Sequence, residues 1–278
     1  MRIAVSGASG FLGHHACAAL AATGADLVLM RHSKDPGLSC AEVVDVDLGT
    51  PPSPDLFDRL GRPDALLHLA WAGLPHYGSS HHLLQELPRH TSFLESLLRS
   101  GLRHLVVAGT CLEYGLREGE LDESLPAAPT TAYGQAKDAL RRHLQSLQPE
   151  LSFGLVWARL FYLFGSGQAS GSLYSLVQAA VRRGDESLPM SPGDQQRDFL
   201  PAAEAGRLLA RLALDRKDAG IVNVCSGRPV AVRAIAEAWV AELGSKLRLE
   251  TGRLPYPGYE PFAFWGRRDK LDGLLAAR

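Results

Sequence analysis

Short apolar runs alternate with longer stretches of helical spacing as far as about residue 165. Ile3-Ala4-Val5 is apolar and runs into glycines. Phe11 to Ala22 is alanine-rich, and Thr23-Gly24 supplies a helix stop. Leu27–Met30, Glu42–Val46, Ala65–Ala70, His104–Ala108 and Phe153–Ala158 are further runs of strand length. Leu83–Leu98 and Ala132–Leu147 carry helical spacing, and Pro88 is expected to kink or restart the first of them. Continuous apolar runs separated by helices predict a parallel sheet covered on both faces. Right-handed crossovers then make it doubly wound.

Beyond residue 165 the regularity falls. Glycines and prolines become frequent, with helices expected at Ala202–Leu214 and Val232–Leu243. The organisation expected is a Rossmann-like α/β domain over residues 1–165. A smaller C-terminal substrate lobe follows over 166–278, from which the chain partly returns to the sheet. There is no internal repeat.

Composition narrows the class. With 278 residues, 46% hydrophobic and 21% charged, the chain can bury a large core without staples. Its 29 basic and 30 acidic side chains leave a formal charge of −1, against the basic balance of a nucleic-acid binder. Cys17, Cys40, Cys111 and Cys225 are scattered, so a reducing cytoplasm is expected rather than a disulfide framework. No apolar run reaches the roughly 18 residues of a membrane span. Gly7 and Gly10 come too early for a signal-peptide core. The adjacent pairs His14-His15 and His81-His82 do not share a helix face, so no metal site is expected.

Gly7-Ala8-Ser9-Gly10-Phe11-Leu12-Gly13 lies between the first strand and the first helix. Gly7 suits a tight turn, Gly10 a close approach of pyrophosphate, and Gly13 close helix–strand packing. The free N–H groups of Ser9, Gly10, Phe11 and Leu12 would then face phosphate at the helix N-terminus. The second strand ends in Met30-Arg31-His32-Ser33-Lys34, with no acid before Asp35. A cation there accommodates a 2′-phosphate, so NADP(H) is favoured and NAD(H) stays open.

Tyr133 and Lys137 are four apart, on one helix face. A nearby ammonium favours the phenolate, so Lys137 is expected to lower the Tyr133 pKa. Such a tyrosine can exchange a proton with a substrate oxygen. Thr110, at the end of the fifth strand, could hold the same oxygen.

With the glycine turn and the tyrosine–lysine pair together, the chain resembles the extended short-chain dehydrogenase/reductase superfamily. That group contains nucleotide-sugar epimerases, dehydratases and reductases. The resemblance runs from Gly7 to about Lys270. It implies that Asp47-Leu48 meets the adenine and that Leu69, Ala70 and Trp71 lie beside the cofactor. It implies Thr110, Tyr133 and Lys137 as the catalytic groups. Gln196-Arg197-Asp198-Phe199 is similar to the segment whose arginine contacts the sugar-nucleotide diphosphate, with Arg253 as a second cation. Asn223-Val224-Cys225-Ser226-Gly227 is similar to a later segment of the family. Tyr162 stands where many relatives place a diphosphate-binding Asn. A homodimer is also implied.

The departures from the family pattern leave a ketoreductase or a redox-neutral 4-epimerase. The 4,6-dehydratases carry Asp-Glu directly after the catalytic Thr, and here Cys111-Leu112 stands there. The cysteine and histidine of the double epimerase-reductases are replaced by Leu112 and by Gly165-Ser166-Gly167. Hydride plus one proton at a carbonyl remains. Trp71–Pro75, which includes Leu74, together with Gly109-Thr110-Cys111 and Phe262–Gly266, resembles the reductases of dTDP-4-keto-6-deoxyhexoses. The resemblance thus implies a dTDP-linked 4-keto sugar, with Leu74 and Cys111 lining its pocket. Two other readings stay open: a redox-neutral nucleotide-sugar 4-epimerase that retains NAD, and a non-catalytic NADP-binding protein.

Overall fold

The computed structural model describes residues 1–32, 41–256 and 258–276. Seven parallel strands form the central sheet: β1 (Arg2–Ser6), β2 (Asp26–Arg31), β3 (Glu42–Asp45), β4 (Ala65–His68), β5 (His104–Thr110), β7 (Gly154–Leu160) and β11 (Gly220–Val224). Their spatial order is β11-β7-β5-β4-β1-β2-β3. The chain steps outward from β1 to β3, then crosses back to β4 on the other side of β1. At that reversal the connections leave β1 and β4 toward opposite faces, opening a crevice at the carboxyl ends of the strands.

Both faces are covered, as the continuous apolar runs require. On one side α1 (Phe11–Ala21), α6 (Ala202–Asp215) and α8 (Asp269–Ala276) pack on Ile3, Val5, Leu29 and Val222. On the other, α2 (Leu56–Arg59), α3 (Leu87–Arg99) and α4 (Ala132–Leu151) pack on Ala4, Val28, Leu66 and Trp157. All seven residues of β5 are buried. Each fully buried Leu or Val contributes about 1.5–3 kcal/mol of hydrophobic stabilisation, so this double layer fixes the strand ends firmly. Helices α1 and α6 touch backbone to backbone, since a Cβ on Gly206 would come within 2.6 Å of the His15 carbonyl carbon.

Pro88 restarts a helix, as its ring requires. A π-helical turn over His82–Glu86 precedes α3, and Pro88 sits in the first turn of α3. After residue 165 the chain builds α5 (Leu173–Arg183), β9 (Ser187–Pro189), β10 (Gln196–Pro201), β12 (Pro229–Ala231), α7 (Val232–Glu242) and β13 (Arg248–Glu250). These surround a small core centred on Trp239, with Phe164, Tyr174 and Phe199 against its ring. Between the two parts lie β6 (Gly119–Leu121), β8 (Tyr162–Phe164) and β14 (Phe264–Gly266). Helix α6 and strand β11 belong to the central sheet layer although they come late in the chain. Among the described residues, no helix is long and apolar enough to cross a membrane.

Candidate active site

The carboxyl ends of the strands gather most of the residues singled out in the sequence. Gly7 follows β1 with φ +72, and a Cβ there would come within 2.6 Å of the Ala70 nitrogen. A Cβ on Gly13 would come within 2.1 Å of the Gly7 oxygen. The turn is thus pressed between the end of β4 and α1, where side chains have no room. Gly10 is the exposed N-cap of α1, no described side chain caps that end, and its first turn carries no acid. Open N–H groups at the positive end of a helix dipole suit a phosphate. The cradle fits a dinucleotide pyrophosphate, with Ser9, Phe11 and Leu12 around it.

The second cofactor region differs from expectation. Arg31 does end β2, but its guanidinium lies on the Asp45 carboxylate across the strand pair. Nε–Oδ1 is 2.6 Å and Nη2–Oδ2 is 2.9 Å. The acid missing from the end of β2 is supplied by β3. Asp45 is held below its ordinary carboxylate range by this hydrogen bond. His32 stands 3.5 Å from Asp47, which also caps its own turn through Gly49. Leu48 packs against the apolar layer beneath. Ser33 lies outside the described residues, as do Lys34 and Asp35.

Thr110 ends β5 and caps the short 3-10 turn Cys111–Tyr114. Its Oγ accepts from Leu112 N at 3.2 Å, and its own N–H donates to Glu113 Oε1 at 2.9 Å. Thr131 caps α4 through Gly134 N at 3.1 Å, which sets Tyr133 and Lys137 in the first turns of that helix. Both are buried. Lys137 Nζ donates to Ala108 O at 2.9 Å and lies 3.8 Å over the Trp71 ring. The Thr110 hydroxyl hydrogen-bonds the Tyr133 phenol. Thr110, Tyr133 and Lys137 are therefore brought together.

Their electrostatics correct one expectation. Burial, with Tyr77, Glu113 and Cys111 behind it, drives the Tyr133 phenol above its ordinary value, and only the Thr110 bond pulls it down. Lys137 does not produce a phenolate here. Burial lowers Lys137 itself to about 7, against the opposing pull of Glu113 and Glu86. Tyr133 is consequently a protonated donor, not a poised base.

Nearby carboxylates are occupied. Glu113 is fully buried and takes hydrogen bonds from Thr110 N, the Trp157 indole and Arg159 Nε. The Arg159 guanidinium also lies 4.2 Å over the Tyr114 ring, whose hydroxyl donates to Asn223 Oδ1 at 2.7 Å. Arg197, expected on a diphosphate, is a buried cation. Its Nη2 meets Glu260 at 2.9 Å, its Nη1 donates to the Gln196 and Phe262 carbonyls, and it faces the Phe264 ring. Next to it, Asp198 accepts from Ser226 N, Ser226 Oγ, Gly227 N and Gly266 N, tying the later family-like segment to β14. Arg253 is exposed and leans on Glu250 at 3.6 Å.

Cys111 is buried, and its thiol is pushed up by burial. Tyr162 packs between Phe199 and Phe264, its phenol raised by burial and the facing Glu260. Leu74 is exposed on the loop after β4. Tyr77 lies against the Tyr133 ring at 5.6 Å and against Tyr259 at 5.7 Å, so it borders the reacting phenol.

Sequence reasoning missed a buried histidine chain beneath this site. Ser6 Oγ meets His68 Nδ1 at 2.7 Å, His68 Nε2 meets His90 Nδ1 at 2.8 Å, and His90 Nε2 meets Glu86 at 3.2 Å. His82 lies 5.2 Å from the Tyr133 ring, and its Nδ1 accepts from the Trp71 indole at 3.1 Å. The available signal was the spacing of His82, Glu86 and His90 by four, a single inward helix face. Among the described residues no cluster has the makings of a metal site.

The family described as NAD dependent epimerase/dehydratase matches residues 3–225. A dTDP-6-deoxy-L-talose 4-dehydrogenase (NAD(+)) of Aggregatibacter actinomycetemcomitans is 30% identical, over 96% of this chain and 100% of that one. A dTDP-6-deoxy-L-talose 4-dehydrogenase (NAD(P)(+)) of Kitasatospora kifunensis is 28% identical, over 96% of this chain and 87% of that one. Among solved structures, a UDP-N-acetylglucosamine 4-epimerase of Methanobrevibacter ruminantium superposes with a TM-score of 0.85 at 20% identity, covering 98% of this chain and 91% of that one.

Proposed function

The chain belongs to the NAD dependent epimerase/dehydratase family, and from that footing we propose that it reduces the C4 ketone of a nucleotide-linked 4-keto-6-deoxyhexose. A dTDP-linked sugar is the substrate we favour, because the two relatives above are named for dTDP-6-deoxy-L-talose. Their names describe the same interconversion of hydroxyl and ketone written toward oxidation.

The observation that carries the reading is the pairing of a protonated Tyr133 with Thr110 at a site whose carboxylates are all engaged. Water elimination needs a free acid and base beside the sugar. Cys111 and Leu112 stand at those positions, Glu113 is bound to Arg159, and Glu260 is bound to Arg197. A carbonyl reduction needs one proton, and Tyr133 holds one.

The nicotinamide ring, when bound, supplies or takes up the hydride at the sugar carbon. Gly7, Gly10 and Gly13 would seat the pyrophosphate, Asp47 and Leu48 would meet the adenine, and Leu69, Ala70 and Trp71 would lie beside the cofactor. Lys137 would hold the nicotinamide ribose. Thr110 and Tyr133 hydrogen-bond the C4 oxygen and stabilise charge as it develops there. Tyr133 then donates its proton to that oxygen. Leu74, Cys111, Tyr162 and Tyr77 would shape the space around the sugar. The cofactor choice turns on one ion pair. A 2′-phosphate, as in NADP(H), must draw Arg31 from Asp45, whereas NAD(H) leaves the pair intact.

The apolar groove of about 760 Å³ along the π-helical turn and α3 is where we place a second copy of this chain. Leu83, Leu84 and Leu87 line it, and Leu84 is 73% exposed. Glu95 and Arg99 on its rim are paired with each other at 2.8 Å, so the apolar face is what the second copy would cover. The buried free thiols Cys17, Cys111 and Cys225 suit a reducing cytoplasm.

The test is cofactor oxidation at the nicotinamide absorbance, with dTDP-4-keto-6-deoxyglucose, with and without a 3,5-epimerase. Stoichiometric loss of NADPH or NADH when the epimerase is present is the expected result. No loss with either cofactor and either sugar would overturn the assignment.

A further inference from the structure

The Trp71 indole touches both Lys137 and the histidine chain. Lys137 Nζ lies 3.8 Å over the ring, and the His90 imidazole stacks on the indole at 4.5 Å with planes 11° apart. The ammonium and the imidazole therefore both rest on the indole. His90 Nε2 in turn meets the buried Glu86 carboxylate at 3.2 Å. Ala72 N and Arg89 also donate to Glu86, at 2.9 and 3.0 Å.

The donors in this chain have one direction. A carboxylate only accepts, so His90 Nε2 carries a proton and His90 Nδ1 is an acceptor. His68 Nε2 must then donate to it, and Ser6 Oγ donates to His68 Nδ1. Burial keeps both imidazoles neutral, which agrees with this assignment. Glu86 is therefore the only net charge in the chain, and His90 links it to the ring on which Lys137 rests. The face of that ring and the field of Glu86 both favour the charged form of the ammonium.

Resting on the reading of Tyr133 and Lys137 as the catalytic pair, we infer that Glu86 is a second buried counter-charge of Lys137, beside Glu113, on the side of His90 and Trp71. Those three are positioning residues: they fix the ammonium and keep it charged without touching substrate. Several groups face Lys137: Tyr133 on its own helix, the Ala108 carbonyl on β5, Glu113 after β5, His68 on β4, His82 and Glu86 in the π-helical turn, and His90 on α3. Of the two carboxylates, Glu113 shares its charge with a fully buried Arg159. Two groups on the solvent side also meet Glu86: Arg89, 39% exposed, at 3.0 Å and the His81 imidazole at 3.2 Å, both screened by water. Both carboxylates pull Lys137 toward its charged form, Glu113 first and Glu86 second.

The test is a pH titration of ε-¹³C-labelled lysine in the cofactor-free protein, with the Lys137 resonance identified by Lys137→Arg. In Glu86→Gln the Lys137 midpoint is expected to fall by about half to one pH unit, the size of a charge contact across roughly 10 Å of partly polar protein. Glu86→Asp keeps the charge and is expected to keep the midpoint. An unmoved midpoint in Glu86→Gln overturns the inference, as does an equal fall in Glu86→Asp. A purely structural Glu86 would give the first of these results. Should Glu86→Gln not fold, Arg89→Gln at the surface is expected to raise the midpoint, and no rise overturns the inference. The titration needs no turnover, so its result is separate from the activity test of Tyr133.

Discussion

Arg31 and Asp45 stand opposite each other at the ends of β2 and β3, joined by two hydrogen bonds of 2.6 and 2.9 Å. The pair is exposed, so it is weak as a source of stability, yet it decides where the guanidinium points. In Asp45→Ala the preference for NADPH over NADH, as a ratio of kcat/KM values, is expected to rise about tenfold. Arg31→Ala is expected to move the ratio the other way. Steady-state kinetics with both cofactors check this.

Removing the Tyr133 hydroxyl removes the proton donor. Tyr133→Phe is expected to lose roughly 10²- to 10⁴-fold in kcat with an unchanged far-ultraviolet circular dichroism spectrum. Thr110→Val, which keeps its shape but loses the bond to the phenol, is expected to lose less. A Tyr133→Phe protein with full turnover would remove the mechanism above.

Glu113 and Arg159 are both fully buried, 2.9 Å apart. Truncating one partner leaves an uncompensated charge, at a cost of about 3–5 kcal/mol. Glu113→Ala is expected to lower the urea midpoint accordingly. It also frees the Thr110 backbone N–H, so residual activity should fall further than folding alone explains.

Glu86 gives a pH signature. Burial raises its pKa, but hydrogen bonds from His90, Ala72 and Arg89 win and hold it at about 2, against 4.5 for a free side chain. A depressed folded-state value stabilises above the unfolded value and loses that effect as pH falls through the folded one. Glu86→Gln is therefore expected to cost about 3 kcal/mol at neutral pH. The gap to wild type should narrow between about pH 4.5 and pH 2. Denaturant unfolding at several pH values measures it.

Leu84 tests the assembly. Leu84→Asp is expected to shift sedimentation from dimer to monomer while the melting temperature of the protomer changes little, because the side chain is exposed.

The sheet was legible because strands buried on both faces must be continuous apolar runs, as at Leu27–Met30 and His104–Ala108. Pro88 announced a helix start because its ring cannot continue a helix. The glycine turn and Tyr133–Lys137 were legible because their chemistry needs neighbours close in sequence. What stayed hidden depends on partners far apart along the chain. Nothing near Arg31 reveals that Asp45 lies across the strand pair. Nothing near Arg197 reveals Glu260. The sign of the Tyr133 shift was misread because a four-residue spacing shows the cation but not the depth of burial. His90 and Glu86 read as ordinary helix residues until His68 and Trp71 are placed against them.

The backbone contact of Gly206 with His15 has a consequence during synthesis. The cofactor turn and α1 are among the first parts of the chain to leave the ribosome, whereas α6, which covers Ala16 and Leu20, emerges about 190 residues later. A nascent chain ending near residue 165 would expose the apolar side of α1 and lack the outer strand β11. Any side chain at 206 would hold the two helices apart after both were made. The layer that covers the glycine turn and α1 is thus completed only when its latest-arriving helix has been made.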